Sequence, residues 1–471
     1  MSTPTKVVGY LPQDVPPVGK MLLLGLQHVI TMFPATVLCA LIMHFDVSTV
    51  LAVTGFATIV ALIGSKLSMG NYIPLYYGSS FSYIAAVLMV MNQLEPGLTF
   101  GQTASPETIS VVQTGFIATG VINILVGLII RLTGGKAGVD KILPPIITGS
   151  VAIVIGIGLS SAALGMFFGT FDLATQTAEA LTWLGVSLFT LVVTILLSVY
   201  LQGKGFIGML PILLGAIAGY LLAIVVGLVD FSSLGTTSIF TAPKFTFPDF
   251  SNPLSLSVMI SVGIMAIATI PESTAHLYQI SLYVDHLAEE QGREKLGLSK
   301  FIGLNLMLDG LNDLVNGLFG STAGTNYGEN NSLMVISRNY SGVSLITAGA
   351  IAMLLGFIGP LKDFVNTVPT SVWGGLAVYL YGVIGMQGIA LMIAEKVDLY
   401  DPGKLAIGAT ILVIGIGGTI GYPNGLPIPL LTAVFPFGWP PIATAAVFGI
   451  LMNLIFLIAK PPKTRADNVL G

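Results

Sequence analysis

The sequence predicts an all-α polytopic membrane protein with fourteen transmembrane segments in a 7+7 inverted repeat. Two of those segments are short and broken. Three observations carry this: composition, the recurrence of long apolar runs, and the placement of the basic residues. Of 471 residues, 54% are hydrophobic and only 8% charged, whereas a soluble domain carries about 25% charged residues. Mean hydropathy is +0.90. This excludes disorder, which needs low hydrophobicity and high net charge. The runs are too long for an outer-membrane barrel, whose strands give ~10-residue alternating segments. Glycine, at 56 residues, suits close helix packing in lipid. A net charge of −4 offers no bulk attraction for nucleic acid. The one cysteine, Cys39, cannot form an internal disulfide and reads as a packed side chain. No cleavable signal peptide is expected, because a polar, Pro-rich start precedes an apolar run too long for an h-region.

A span needs about 20 apolar residues, fewer where a site interrupts it. Spans are expected at 18–43, 47–65, 79–92, 109–130, 143–168, 180–202, 206–229, 255–281, 302–319, 328–340, 342–361, 369–394, 404–421 and 439–459. With the N-terminus inside, the inside segments hold Lys6, Lys20, Lys66, Arg131, Lys136, Lys141, Lys204, Arg293, Lys295, Lys300, Arg338, Lys396, Lys404, Lys460, Lys463 and Arg465, which is 16 of the 18 Lys and Arg. Only Lys244 and Lys362 fall outside. This bias places both termini in the cytoplasm. The run DHLAEEQGREK (285–295) then reads as a solvated, partly helical cytoplasmic connector.

The halves echo each other. Pro144, Gly149 and Ala152 in span five recur as Pro369, Gly374 and Ala377 in span twelve, 225 residues on. Tyr77-Gly78-Ser79 echoes Tyr327-Gly328-Glu329 beside the two short spans. Seven spans is odd, so the halves run in opposite orientation, as in secondary transporters whose sites lie beside broken helices at the midplane. NYIPLYYG (71–78) and GSTAGTNYG (320–328) read as extended chain. Such backbone survives at membrane depth only when paired or lining a cavity, so two short antiparallel strands are expected to pair across the repeat axis. Helices starting at Gly78 and Gly328 would aim free N–H groups at the membrane centre.

Ionisable residues inside the membrane are functional candidates. Glu272 and His276, four apart in span eight, share a helix face. Pro271 should loosen that helix. Glu329 opens the second broken helix. Asp309 and Asp313 in span nine are open between a structural and a transport role, as like charges four apart are unfavourable. His28 reads mainly as an interhelical hydrogen-bond partner, and His44 and His286 as interfacial. GIGGTIG (415–421) lies inside an apolar span and reads as close packing, not a dinucleotide loop. Asn330-Asn331-Ser332 matches a glycosylation sequon that an intramembrane position disfavours. With no Walker motif, metal cluster or nucleophile constellation, neither an enzyme nor an ATP-driven pump is expected, and no cofactor beyond a coupling proton.

NYGENNSLMVISR (326–338) resembles the signature [Q/E/P]-N-x-G-x4-T-[R/K/G] of the nucleobase–ascorbate transporter family, here as Glu329, Asn330, Ser337 and Arg338. Ser332 and Ser337 stand where the family has Gly and Thr. LQHVITMFPATV (26–37), YGSSFSYI (77–84), PESTAH (271–276), LYGVIGMQGI (380–389) and KVDL (396–399) extend the likeness over nearly the whole chain. It is most similar to the bacterial uracil permeases. The resemblance implies a cytoplasmic N-terminal tail at 1–16, a core domain from 17–135 and 250–365, a gate domain from 136–230 and 366–460, and a cytoplasmic tail at 461–471. It implies substrate binding by Glu272, Glu329, Phe81, Gly328 and Tyr381, and proton coupling through His276, Glu272, Ser80 and Tyr327. The expected activity is import of a nucleobase, uracil foremost, by proton symport across a bacterial inner membrane. The alternatives are an oxo-purine such as xanthine or uric acid, or an anion transporter of the same 7+7 fold. A channel or non-transporting sensor would need a continuous polar pore. Partners implied are the nucleobase, the bilayer and a second copy through the gate domain, with no nucleic acid.

Overall fold

Helix formation here is dictated by the medium, since a backbone in hydrocarbon must satisfy its polar groups internally. The structure is a computed structural model and describes residues 9–133, 143–430, 432, 434–435 and 438–459. Lys6, Lys136, Lys141, Lys460, Lys463 and Arg465, the boundary at 135/136 and the 461–471 tail lie outside the described residues.

The first half contains α1 (Val18–Ile42), α2 (Val47–Met69), β1 (Tyr77–Ser79), a 3-10 turn at Phe81–Tyr83 leading into α3 (Ile84–Leu94), α4 (Pro106–Thr133), α5 (Pro145–Gly158), α6 (Ser160–Phe168), α7 (Thr177–Tyr200) and α8 (Pro211–Val225). The second contains α9 (Ser255–Gly263), α10 (Ala266–Glu290), α11 (Ile302–Phe319), β2 (Gly324–Asn326), α12 (Gly328–Ser337), α13 (Gly342–Leu355), α14 (Gly359–Thr367), α15 (Thr370–Ala394), α16 (Pro402–Leu412), a π turn at Val413–Gly417, α17 (Gly418–Gly421) and α18 (Pro441–Ile458). Among the described residues, nine helices are long and apolar enough to cross a membrane, some formed by two consecutive elements. The stretches 81–94, 211–225 and 342–355 are shorter apolar helices.

Local sequence sets the ends. Asp46 caps α2 by accepting from Thr49 N at 3.0 Å, and Asp401 caps α16 by accepting from Gly403 N at 2.8 Å, each satisfying an orphan helix donor. Gly70 and Gly320 close α2 and α11 in the left-handed region, with φ of 73° and 82°, where a Cβ is penalised.

The helix pairings repeat with inverted order. Helix α4 packs on α11 as α13 packs on α2, and α9 packs on α4 as α1 packs on α13. Helix α7 packs on α8 as α16 packs on α18, while α5 and α15 pack on each other. Pro144 and Pro369 stand just ahead of α5 and α15 with nearly equal dihedrals, so the 225-residue echo is structural. The Tyr-Gly echo is displaced. Gly78 lies inside β1, not at a helix start, and the equivalent helices begin at Phe81 and Gly328. True counterparts near the breaks are therefore 247 residues apart, not 250.

Close crossings depend on reciprocal glycines. A Cβ on Gly310 would collide with the carbonyl of Gly120, and a Cβ on Gly120 with that of Gly310. Gly127 with Gly303, Gly55 with Gly349, and Gly149 with Gly388 do the same. Small residues let helix backbones approach in lipid, where dispersion replaces hydrophobic drive. In the 415–421 run, Gly415 meets Val154 and Gly418 meets Pro441, as close packing requires, whereas Gly417 and Gly421 face open space.

Gly310→Val should therefore destabilise the fold by at least roughly 1–3 kcal/mol. Thermal melting in detergent reads this, and an unchanged melting temperature would reject the close-packing account.

Candidate substrate site

The site is built on a two-stranded antiparallel pair, with Tyr77 opposite Asn326, Gly78 opposite Thr325 and Ser79 opposite Gly324. Both strands are buried throughout. The ladder extends through Tyr327 N to Tyr76 O at 2.8 Å and Ser80 N to Ala323 O at 3.0 Å. Side chains satisfy much of the rest. Thr58 Oγ1 donates to Tyr77 O at 3.1 Å and accepts from Tyr77 N at 3.3 Å. Asp313 accepts from Gly324 N at 2.8 Å and from Asn123 Nδ2 at 3.1 Å. The Tyr327 hydroxyl donates to Ser79 O at 2.9 Å and lies 3.0 Å from Thr36 Oγ1. Its ring covers Gly78, where a Cβ would strike it.

Each strand feeds a short helix. Ser80 caps the first by accepting from Ser82 N at 3.3 Å, and Phe81 and Gly328 stand first in their helices. First-turn N–H groups have no intrahelical acceptor. Glu329 follows in the first turn of α12, exposed, while Phe81, Glu272, His276 and Gly328 are half-buried. A Cβ on Gly328 would sit 3.0 Å from His276 Nε2. Phe81 and Tyr381 meet edge to face, with centroids 6.0 Å apart and planes at 72°. The structure thus brings Phe81 to Tyr381 and Gly328 to His276, with Ser80 and Tyr327 in the supporting strands.

Helix α10 is interrupted from α9 at Ile264–Met265, where Ile267 N and Ala268 N bond three residues back. Pro271 itself lies within α10. The helix is therefore not broken at Pro271 as expected: it runs continuously from Ala266 to Glu290, and the interruption lies six residues upstream of the proline.

The signature residues take holding positions. Asn330 Nδ2 donates to His28 O at 3.1 Å and lies 3.1 Å from His28 Nδ1. It is fully buried, which no glycan would permit. Ser337 Oγ donates to Leu333 O at 2.8 Å. Ser332 Oγ donates to Gly328 O at 3.0 Å. Arg338 ends α12 in the left-handed region with φ of 52° and pairs with Glu290 at the end of α10. His286 joins that pair, 3.0 Å from Glu290. His44 is buried and bonded to Gln102 O at 2.9 Å.

Sequence reasoning missed Asn326. Its Oδ1 lies 2.6 Å from His276 Nδ1 and its Nδ2 donates to Ser273 Oγ at 2.8 Å. Ser273 Oγ also accepts from Asn305 Nδ2 at 2.8 Å. The available signal was the stripe Asn305, Asp309, Asn312, Asp313 and Asn316 along one buried face of α11. Of its acids, Asp313 holds a strand, while Asp309 is buried near Ser273.

Residues 19–423 match the model of the permease family, the nucleobase–ascorbate transporters. The chain belongs to this family; it is a membrane transport protein and not an enzyme. It is 33% identical over 449 residues to a uracil permease of Bacillus caldolyticus, covering 94% of this chain and 93% of the relative. It is 35% identical over 405 residues to a uracil permease of Escherichia coli (strain K12), covering 86% of each. Among solved structures, the transmembrane domain of the cyanobacterial bicarbonate transporter BicA matches with a TM-score of 0.59 at 13% identity, over 87% of this chain and 99% of that one. The murine anion transporter Slc26a9 matches with a TM-score of 0.63 at 13% identity, over 95% and 69%. These two share the fold.

Asp313→Ala would leave Gly324 N–H and the Asn123 amide without their acceptor. It should cost on the order of 1–3 kcal/mol for each buried group left unsatisfied. Thermal unfolding in detergent measures this, and wild-type stability would show that the strand does not depend on Asp313.

Proposed function

We propose that the protein is a secondary active transporter importing a nucleobase, uracil foremost, by proton symport. The core domain (17–135 and 250–365) rocks against the gate domain (136–230 and 366–460) to give alternating access. The setting is a bacterial inner membrane with both termini cytoplasmic, and a second copy docks through the gate domain. The observation that carries the reading is the pair of opposed half-helix starts at Phe81 and Gly328, with Gly328 against His276 and the exposed Glu329 next in the chain. The uracil permease relatives support the choice of base. A planar base presents N–H donors and C=O acceptors along its edges. Glu272 and Glu329 accept from ring N–H groups in charge-assisted hydrogen bonds, about twice as strong as neutral ones. The N–H groups of Phe81 and Gly328 donate to its carbonyls, and the rings of Phe81 and Tyr381 pack on its face. A proton taken up in the Glu272–His276–Ser80–Tyr327 region accompanies the base. The two carboxylates weigh against an anion as cargo.

Radiolabelled uracil should accumulate in cells lacking their own base transporters, with unlabelled uracil competing better than xanthine, uric acid, hypoxanthine or adenine. No uptake of any nucleobase would refute the reading, and stronger competition by xanthine would move it to oxo-purines. A protonophore should abolish accumulation while sodium removal should not; the reverse would exclude proton symport. Glu329→Gln should weaken binding by about 1.5–3 kcal/mol, and unchanged affinity would exclude direct contact. His276→Ala should impair accumulation more than binding, and a variant that still transports uphill removes His276 from coupling.

A further inference from the structure

A cavity lies away from the substrate region. It has a volume of about 330 Å³ and lies between the start of α2, the ends of α11 and α13, and the segment 239–250. All residues lining it are apolar and five are phenylalanines, among them Phe56, Phe245, Phe247 and Phe319. Phe319 is its hub, with the rings of Phe56, Phe245 and Phe247 at centroid distances of 6.2, 6.4 and 6.1 Å. The segment 239–250 is a strap across the helix ends. Thr241 N bonds Phe357 O at 2.9 Å, Lys244 N bonds Thr49 Oγ1 at 2.8 Å, Thr246 O accepts from Gln113 Nε2 at 3.0 Å, and Asp249 N bonds Ser110 O at 3.0 Å. On α2, Thr49 holds the strap, and Ala52, Val53 and Phe56 on the same face line the cavity.

Water does not fill such a space, since it needs two or more polar partners. The cavity also opens outward, with Phe247 64% and Phe56 41% exposed, at the flank of helices long and apolar enough for a bilayer. Lys244, beside Phe245, is exposed and has no ion-pair partner among the described residues, whereas Lys362 at the same end of α2 is neutralised by Asp46. An apolar cavity with an exposed lysine one residue from its lining, unpaired among the described residues, matches an acyl chain attached to a phosphate. We infer that this is a resident phospholipid site, with one acyl chain in the phenylalanine cavity and the headgroup phosphate on Lys244.

Native mass spectrometry of the full chain in mild detergent, titrated with dioleoyl-phosphatidylglycerol, tests it. Wild type should hold one lipid more tightly than the rest. Met353→Trp, which fills the cavity, and Phe247→Ala, which opens its roof, should each weaken that binding on the order of tenfold, equivalent to roughly two buried methylenes. Lys244→Gln should weaken it about fivefold, as expected for one basic residue at a lipid surface. Leu188→Trp, on the exposed flank of α7, should leave it unchanged. Phe247→Ala changes an exposed ring, so its result stands even if Met353→Trp misfolds. A graded series of lipids with no distinct first one, or equal retention in Phe247→Ala and wild type, would overturn the proposal and leave only bulk lipid at this face.

Discussion

Everything near the breaks depends on one requirement: six residues of extended backbone, buried at membrane depth, must find partners for their N–H and C=O groups. A buried unpaired amide costs several kcal/mol where nothing else can bond it. The two strands answer each other, and what they leave over is met by Thr58, Asp313 and Tyr327. Because those side chains come from α2, α11 and the strand end itself, the pair is tied to helices from both halves. The starts of the two short helices inherit their positions from this pairing. Phe81, Gly328 and Glu329 therefore sit where they do because of a hydrogen-bond ledger, before any ligand is considered.

Much of this was legible. Hydropathy located the helices because a medium without water makes length and apolarity decisive. The proline echo between α5 and α15 was reliable because proline fixes φ at a helix start, so sequence and geometry share a cause. The Tyr-Gly echo misled because its two copies do different work: Gly78 yields space to the Tyr327 ring, while Gly328 opens a helix. Asn326 stayed hidden because an Asn in a small polar loop looks like a turn residue. Only the fold shows that it faces His276 and Ser273.

The polar residues of α11 show how a membrane protein divides its scarce polarity. Asp313 serves backbone, Asn305 serves Ser273, and among the described residues neither Glu272 nor Glu329 is held in a salt bridge, which suits a pair proposed to meet a ligand. At the far end of the broken helices, the left-handed turn at Arg338 and its pairing with Glu290 couple the ends of α12 and α10. The N-terminal segment adds to this end, as Tyr10 N bonds Arg338 O and Tyr340 N bonds Tyr10 O. Arg293 binds Asp14 at 2.7 Å. The polar start of the chain is thus a docked part of the helix assembly from residue 9 onward.

The strand pair also has a bearing on biosynthesis. Tyr77 is made long before Asn326, its partner. At roughly 5–20 residues per second, β1 waits on the order of 10–50 s on the ribosome's schedule before β2 exists. Its exposed edge must be sheltered through that interval by the insertion machinery or by neighbouring chain. The first half of the chain, though its helices pack like those of the second, is therefore not a self-sufficient folding unit. Maturation of this protein is gated by the arrival of its second half.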